Sequence, residues 1–438
     1  MGSVAIVFYY DKRLRYSINA LVASIDLIEG LDVYLVEDQT AFLNTIRYVA
    51  RRYRGRCIVA YSILSTSLVD ENYLSFIIGS VSLAKKSNCI TIVGGPHASG
   101  DPIGCIESLG FDYVFIGEAE YSLRKFLETI RDKGDPLDTP GLFTRIEGKY
   151  VSTRRPPPIV LDSHHPFPYW RYLFNPIEIT RGCMFECKYC QVPYLHGFKL
   201  RHRSVDSIFR YADIMVSYGV RDLRFISPNS FSYGSINGKL NVEAIEELLS
   251  KLYLLVREKN ARIFFGSFPS EVRPEYVTEE VVRVLRKYIH NREVIIGAQT
   301  GSNRLLEEIR RGHTLEDVFN AVEILNKYGF RASIDYIIGL PGETEDDLKE
   351  TLDSIKKLVK LGARIHLHTF MPLPGSPYAY KNPQRIPQWF RREISRIIGM
   401  GRAYGEWIHQ EKIAWKLVEL REKGIILPRR RIERIKIR

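Results

Sequence analysis

The chain has 438 residues, 45% hydrophobic and 26% charged, with 63 Lys and Arg against 51 Asp and Glu for a net charge of +12. That length exceeds what one hydrophobic core usually organises, so two or three domains are expected, and no apolar run reaches the ~18 residues that cross a bilayer. Six cysteines exclude a disulfide scaffold and predict buried thiols in a reducing cytoplasm.

Over residues 1–134, short apolar strands alternate with helical periodicity, the pattern of a doubly wound parallel α/β sheet. The strands expected are Val4–Tyr9, Asp32–Val36, Cys57–Tyr61, Ile90–Val93 and Tyr113–Ile116, with helices such as Asn19–Ile28, Asn44–Tyr53 and Ser122–Arg131 between them. Ligands of such sheets sit at the carboxyl ends of the strands. Residues 135–172, rich in Pro, Gly and His, are expected to form a linker with a small hairpin at Glu147-Gly148. From 173 to 384 the alternation resumes: Glu178–Thr180, Leu223–Ser227, Ile263–Ser267, Val294–Gln299, Ala332–Ile338 and Ile365–Met371 give six strands, enough for a partial (β/α)6 barrel. Residues 385–438 read as a helical extension. It ends in a basic tail of Arg429, Arg430, Arg431, Arg434, Lys436 and Arg438 against the single acid Glu433. The basic balance leaves two readings open, an anionic partner such as RNA and a surface dense in both signs of charge.

Chemistry concentrates in Cys183-Met-Phe-Glu-Cys187-Lys-Tyr-Cys190, which follows the first barrel strand. Thiolates are the usual ligands of iron–sulfur clusters, and three of them leave one iron of a [4Fe–4S] cube without a protein ligand. A Cys3His zinc site completed by His196 or His202 is the rival, and would suit a zinc-stabilised RNA-binding protein.

This C-x3-C-x2-C loop resembles that of the radical S-adenosylmethionine (radical SAM) superfamily. Four later stretches resemble it too, particularly its cobalamin-binding branch: Gly297-Ala-Gln-Thr-Gly-Ser302, Arg311-Gly-His-Thr314 with Thr314 as a helix cap, Gly339-Leu-Pro-Gly-Glu343, and Pro372-Leu-Pro-Gly-Ser-Pro377. The resemblance implies that Cys183, Cys187 and Cys190 hold a [4Fe–4S] cluster. It further implies that Tyr189, Ser227, Asn229, Gln299, Ser302, Ile338 and Gly339 line an S-adenosylmethionine site, Asn229 by offering its carbonyl to an ammonium. One departure is Gly342, where the family places an acid. In the first domain Ser62-Ile-Leu64, Gly94-Gly95-Pro96-His97 and Glu118 resemble a cobalamin site. The cobalt-ligating Asp-x-His-x-x-Gly of some members is replaced by Asp11-Lys-Arg-Leu-Arg-Tyr16.

The implied activity is a cobalamin-dependent C-methyltransferase that draws electrons from a donor such as a ferredoxin or flavodoxin. A cobalamin-independent radical cyclase or rearrangement enzyme, and a methylthiotransferase, are the alternatives. Methylthiotransferases carry three further cysteines in the N-terminal domain. Cys57, Cys89 and Cys105 are too dispersed along their strands for that, and read as buried structural thiols.

Overall fold

The computed structural model describes residues 3–428; the basic run from Arg429 lies outside the described residues. Strand β1 (Val4–Tyr9) is buried along its whole length, and its alternation divides it between two cores. Ala5, Val7 and Tyr9 pack with the helices Gln39–Tyr53 and Glu71–Lys86, while Val4, Ile6 and Phe8 pack with Arg15–Ile25 and Glu120–Arg131. A strand apolar on both faces belongs at the centre of a sheet covered by helices on both sides.

β1 pairs in parallel with β2 (Leu31–Val36) and β3 (Cys57–Ser62), and the sheet continues through β4 (Ile90–Gly94), β5 (Tyr113–Phe115), β6 (Leu142–Ile146) and β7 (Lys149–Ser152). The order β2-β1-β3-β4-β5-β6-β7 reverses direction between β1 and β3, which opens a crevice at their carboxyl ends. The hairpin at Glu147-Gly148 forms as expected, but it joins the sheet antiparallel to β5 instead of standing in a linker. Cys57 and Cys89 correct a second expectation: they form a disulfide, at a Cα separation of 4.7 Å, between the starts of adjacent strands.

The second half builds an open barrel. Strands β8 (Ile177–Glu178) and β9 (Thr180–Arg181) replace the single first strand expected, and β9 pairs antiparallel with β10 (Arg201–His202). The parallel wall runs from β8 through β11 (Asp222–Ile226) to β12 (Arg262–Phe264), shorter than expected. Backbone bonds from Ile295 to Gly266 (2.9 Å) and from Gly297 to Val272 (3.0 Å) carry it on to β13 (Glu293–Gln299). β14 (Arg331–Ile338) and β15 (Arg364–Thr369) follow in parallel. Thr314 caps its helix as expected, with Asp317 closing a reciprocal capping box.

The C-terminal region is helical with one interruption. Between Gln388–Gly399 and Trp407–Glu422, strand β16 (Ala403–Tyr404) adds a further parallel strand beside β15. The last helix and its exit return to the first domain. Leu427 N–H donates to Asp101 at 2.8 Å, and Ser108 Oγ to the Gly424 carbonyl at 3.2 Å.

Candidate active site

The cysteine loop is the connection between β9 and β10. It turns at Gly182, whose φ of +88° and approach to the Lys199 carbonyl leave no room for a side chain, since a Cβ there would lie 2.3 Å from that oxygen. Cys183 N–H then bonds the Gly197 carbonyl (3.1 Å), and Cys190 N–H that of Cys187 (3.1 Å), so the loop folds back on itself. It is fastened to the barrel by Lys188 N–H on the Ile309 carbonyl (3.0 Å) and by Tyr378 N–H on the Lys188 carbonyl (3.0 Å).

The zinc alternative requires three thiols and an imidazole gathered around one ion. Three ligands of one zinc stand about 3.8 Å apart. The sulfurs of Cys183, Cys187 and Cys190 do not all lie within 4.8 Å of one another, and no imidazole completes such a group with two of them. His202 is also committed, to Thr180 (2.9 Å) and the Ser235 carbonyl (3.2 Å). A compact zinc site is therefore not assembled, and three thiols on one loop suit three corners of a cube. Burial pushes up the Cys183 thiol, and the Cys190 thiol to about 12, so a bound metal would have to displace their protons.

Buried cations back the loop. Arg311 points Nη1 at Cys187 Sγ (3.7 Å), donates to the Gly297 carbonyl (2.8 Å) and lies 3.6 Å from Glu271. Arg273 stacks on Phe185 of the loop at 3.4 Å, and its Nη1 is buried without a partner. Burial raises the Glu271 carboxyl above the usual range, opposed by Arg311. None of these three was assigned a role from sequence. Glu271 and Arg273 follow β12 at the end where barrel loops converge, which was the available signal.

A cavity of about 240 Å³ opens beside the loop, lined by Tyr189, Glu271, Gln299, Asp335, Ile337 and His368 among others. Tyr189 and Gln299 are thus brought together on one cavity; Gln299 sits at a bulge in β13 with φ +73°. The other expected cofactor residues lie outside this lining. Ile337 faces the cavity while Ile338, one residue on, is 1% exposed, as the alternation of a strand requires. Ser302 is fully buried and donates to Asp347 (2.6 Å), locking two helix starts together. Gly339 donates to Glu343 (2.7 Å) and accepts from Gln384 N–H (2.9 Å). The Asn229 carbonyl, expected to meet an ammonium, already accepts from Phe231 and Arg273 N–H at 3.3 Å each; its amide nitrogen is the buried group without a partner. Ser227 Oγ accepts from Asn229 N–H at 3.2 Å.

In the first domain, Ser62 ends β3, and the Gly94-Gly95 pair ends β4 and opens the short helix Gly95–Gly100 that carries Pro96 and His97. His97 lies in this helix at 1% exposure, bonded through Nδ1 to Ser65 Oγ (2.9 Å), and burial lowers its pKa to about 3. Leu64, Gly94, Gly95 and Pro96 keep partial exposure at the strand edge. Glu118 belongs to a different structure. It accepts from Ile159 N–H (2.9 Å) and from Arg201, with Arg181 at 3.9 Å and His196 at 3.6 Å. Burial opposes its ionisation, but Arg201 and these neighbours hold the carboxyl well below the usual range. Arg181 also pairs with Glu120 (2.7 Å) and Glu178 (2.6 Å), so this buried cluster clasps the sheet domain to the barrel two residues before Cys183. A second seam contact is backbone on backbone: a Cβ on Gly100 would lie 2.2 Å from the Pro374 carbonyl.

Comparison with known proteins agrees with this arrangement. Residues 177–355 match the family model of the radical SAM superfamily, and this stretch is a radical SAM domain. An uncharacterized protein of Methanopyrus kandleri is 26% identical over 373 residues, 72% of this chain and 66% of its own length. The tRNA-2-methylthio-N(6)-dimethylallyladenosine synthase of Finegoldia magna is 35% identical over 184 residues. That is 42% of this chain and 38% of the synthase, so this chain spans less than two thirds of either of these two relatives. The structure of the radical S-adenosylmethionine methyltransferase TsrM from Kitasatospora setae, with cobalamin and [4Fe-4S] cluster bound, matches with a TM-score of 0.68 at 16% identity. It covers 86% of this chain and 74% of that one. The shared fold includes both the sheet domain and the barrel. No described helix is long and apolar enough to cross a membrane.

Proposed function

We propose that this protein is a radical SAM enzyme that methylates an unactivated carbon with a corrinoid held between its two domains. The observation carrying the reading is the juxtaposition of three thiols, gathered on one loop between β9 and β10, with a barrel clasped to a β2-β1-β3-β4-β5 sheet. The residues present fit the groups this requires. Cys183, Cys187 and Cys190 would hold the cluster, with Arg311 offsetting the negative charge of its thiolates. Ser62 Oγ is buried without a hydrogen-bond partner, and buried His97 Nε2 faces only Asp101 Oδ2 at 3.8 Å, beside the half-exposed Leu64 and Gly94-Gly95-Pro96. A hydroxyl lacking an acceptor next to bare backbone suits a nucleotide tail. No histidine follows β1 to reach a cobalt, and Asp11 there is engaged by Arg13.

When bound, the cluster supplies the electron that cleaves S-adenosylmethionine to a 5′-deoxyadenosyl radical, and the corrinoid supplies the methyl group. The chain's own part is to bind, orient and exclude. Tyr189, Ile337, Phe370 and Met371 present apolar surface to the 240 Å³ cavity, which keeps water from a reactive carbon centre. Gln299 and Glu271 offer polar groups on its wall for the amino-acid end of the cofactor. An external one-electron donor of the ferredoxin or flavodoxin kind completes the proposal.

A second reading, methylthio transfer, is supported by the 35% identity with the Finegoldia synthase. The first domain speaks against it: Cys57 and Cys89 are bonded to each other and Cys105 is buried apart from them, which leaves no trio of thiols for another cluster. The test is anaerobic reconstitution with iron, sulfide and a corrinoid. About four irons per chain, 5′-deoxyadenosine formed with dithionite, and a retained corrinoid spectrum are expected. Failure to retain the corrinoid would overturn methyl transfer; absence of 5′-deoxyadenosine would overturn the radical reading itself.

A further inference from the structure

The barrel lumen holds a second set of ligand-type side chains that the chemistry above leaves unused. Asp335 on β14 pairs in register with His366 on β15, and Ile337 with His368, so the two-residue period of the strands brings Asp335, His366 and His368 to one face. One ligand-type atom from each of Asp335, His366 and His368 lies within 4.8 Å of the other two. His366 Nδ1 is 3.1 Å from the carboxylate and 3.2 Å from the other imidazole. The His366 ring is held by stacking on Tyr404, 4.5 Å away and 9° from parallel.

Hydrogen bonds among the three cannot satisfy them. Gln410 Oε1 accepts from Thr369 N–H at 2.9 Å, which orients its amide and leaves Nε2 to donate to His368 Nδ1 at 3.3 Å. His368 then carries its hydrogen on Nε2 and directs it at His366 Nδ1, whose lone pair must receive it. That same lone pair faces the Asp335 oxygen, acceptor against acceptor. Placing a hydrogen on His366 Nδ1 mends the contact with Asp335 and turns the one with His368 into donor against donor. One ring nitrogen cannot serve both neighbours.

A cation resolves the conflict. Ligands about 2.1 Å from one metal stand about 3.0–3.4 Å apart, whether the geometry is octahedral or tetrahedral. The observed 3.1 and 3.2 Å edges fall in that range. We infer that Asp335, His366 and His368 form a divalent transition-metal site of two histidines and one carboxylate. Its open positions face the cavity shared with Tyr189 and Gln299, where they take a carboxylate or carbonyl oxygen of the substrate. The metal site stands independently of the proposed function; only the substrate contact rests on it. Binding through His368 Nε2 moves that ring's hydrogen to Nδ1, so Gln410 must give up its acceptor role toward Thr369 to receive it. Gln410→Glu removes this cost, because a carboxylate accepts from both, and it creates the outer-shell carboxylate that strengthens a ligating histidine.

The test is zinc titration of the full-length, cluster-reconstituted protein, with zinc and iron counted by elemental analysis. One zinc per chain is expected beyond the cluster iron. Asp335→Asn, His366→Gln and His368→Gln should each bind at least ~10-fold more weakly with iron content unchanged, and Gln410→Glu ~10-fold more tightly. A gain of affinity cannot arise from misfolding, so that variant decides the matter if the others lose the cluster as well. No zinc in the wild type, or equal binding by wild type and variants, would overturn the site. Neither result depends on 5′-deoxyadenosine formation, so failure here is distinct from failure of the radical reading.

Discussion

Replacing Arg181 by methionine isolates the clasp between the domains. The guanidinium is buried between Glu120 (2.7 Å) and Glu178 (2.6 Å), and Glu120 is itself only 6% exposed. Removing one partner of a buried ion pair leaves an uncompensated charge and costs about 3–5 kcal/mol. At about 2–4 °C per kcal/mol for a unit of this size, Tm should fall by roughly 6–20 °C. The pH dependence is the sharper readout. In the wild type, Arg181 outweighs burial and holds the Glu120 carboxyl below its usual range. That pairing therefore contributes stability above the ordinary carboxylate pKa, and loses it as pH falls through the lowered value. In Arg181→Met burial, the largest influence, and the neighbouring Glu118 charge raise the carboxyl against a single backbone hydrogen bond, so the deficit should be largest at pH 8 and shrink towards pH 5 as Glu120 takes up a proton. Calorimetry at both pH values checks this, and adding Glu120→Gln should restore most of the loss at pH 8. An equal deficit at both pH values, or no recovery in the double variant, would refute the reasoning.

Three further outcomes are expected. Gly100→Val drives a side chain into the Pro374 carbonyl; it should cost about 1–3 kcal/mol and speed hydrogen exchange at Gly375, and an unchanged Tm would contradict the tight seam. Glu343, pushed up to about 8 by burial although Gly339 N–H opposes this, keeps its proton when folded over a range in which the unfolded chain has lost it. The wild type therefore loses stability as pH rises from about 4.5 to about 8, so Glu343→Gln should gain in Tm relative to it across that window; a constant difference would count against the raised carboxyl. Arg311→Gln removes the cation 3.7 Å from Cys187 Sγ and should move the cluster's midpoint potential to more negative values in an EPR-monitored titration, where no shift would exclude electrostatic tuning.

The sheet and barrel were legible because periodicity reports burial. Val4–Tyr9 reads as a two-faced apolar strand, and it is one. The cysteine loop was legible because its ligands are neighbours in the chain. Elements that owe their existence to distant partners were hidden: β16 has two residues and forms because β15 offers an edge, and the 142–152 hairpin joins a sheet begun some 140 residues earlier. Site residues split in the same way. Gln299 and Tyr189 were reached through motifs and Glu271 and Arg273 had only their place after β12 to announce them, whereas the Asp335–His366–His368 set becomes visible only when β14 and β15 are laid side by side. Ser302 and Asn229 were read as free hydrogen-bonding groups because nothing local announces Asp347 or the Arg273 backbone as their partners.

The hairpin that carries Cys183, Cys187 and Cys190 resembles an arch whose abutments stand on separate banks. Arg181 anchors its start to Glu120 of the sheet domain, and Gln191 at its far side bonds the Pro374 carbonyl, the same oxygen that presses on Gly100. Pulling the banks apart would slacken the arch. A barrel freed of its N-terminal companion should therefore take up iron poorly even with every thiol intact, and any recombination that supplies a new companion must bring matching masonry for Arg181.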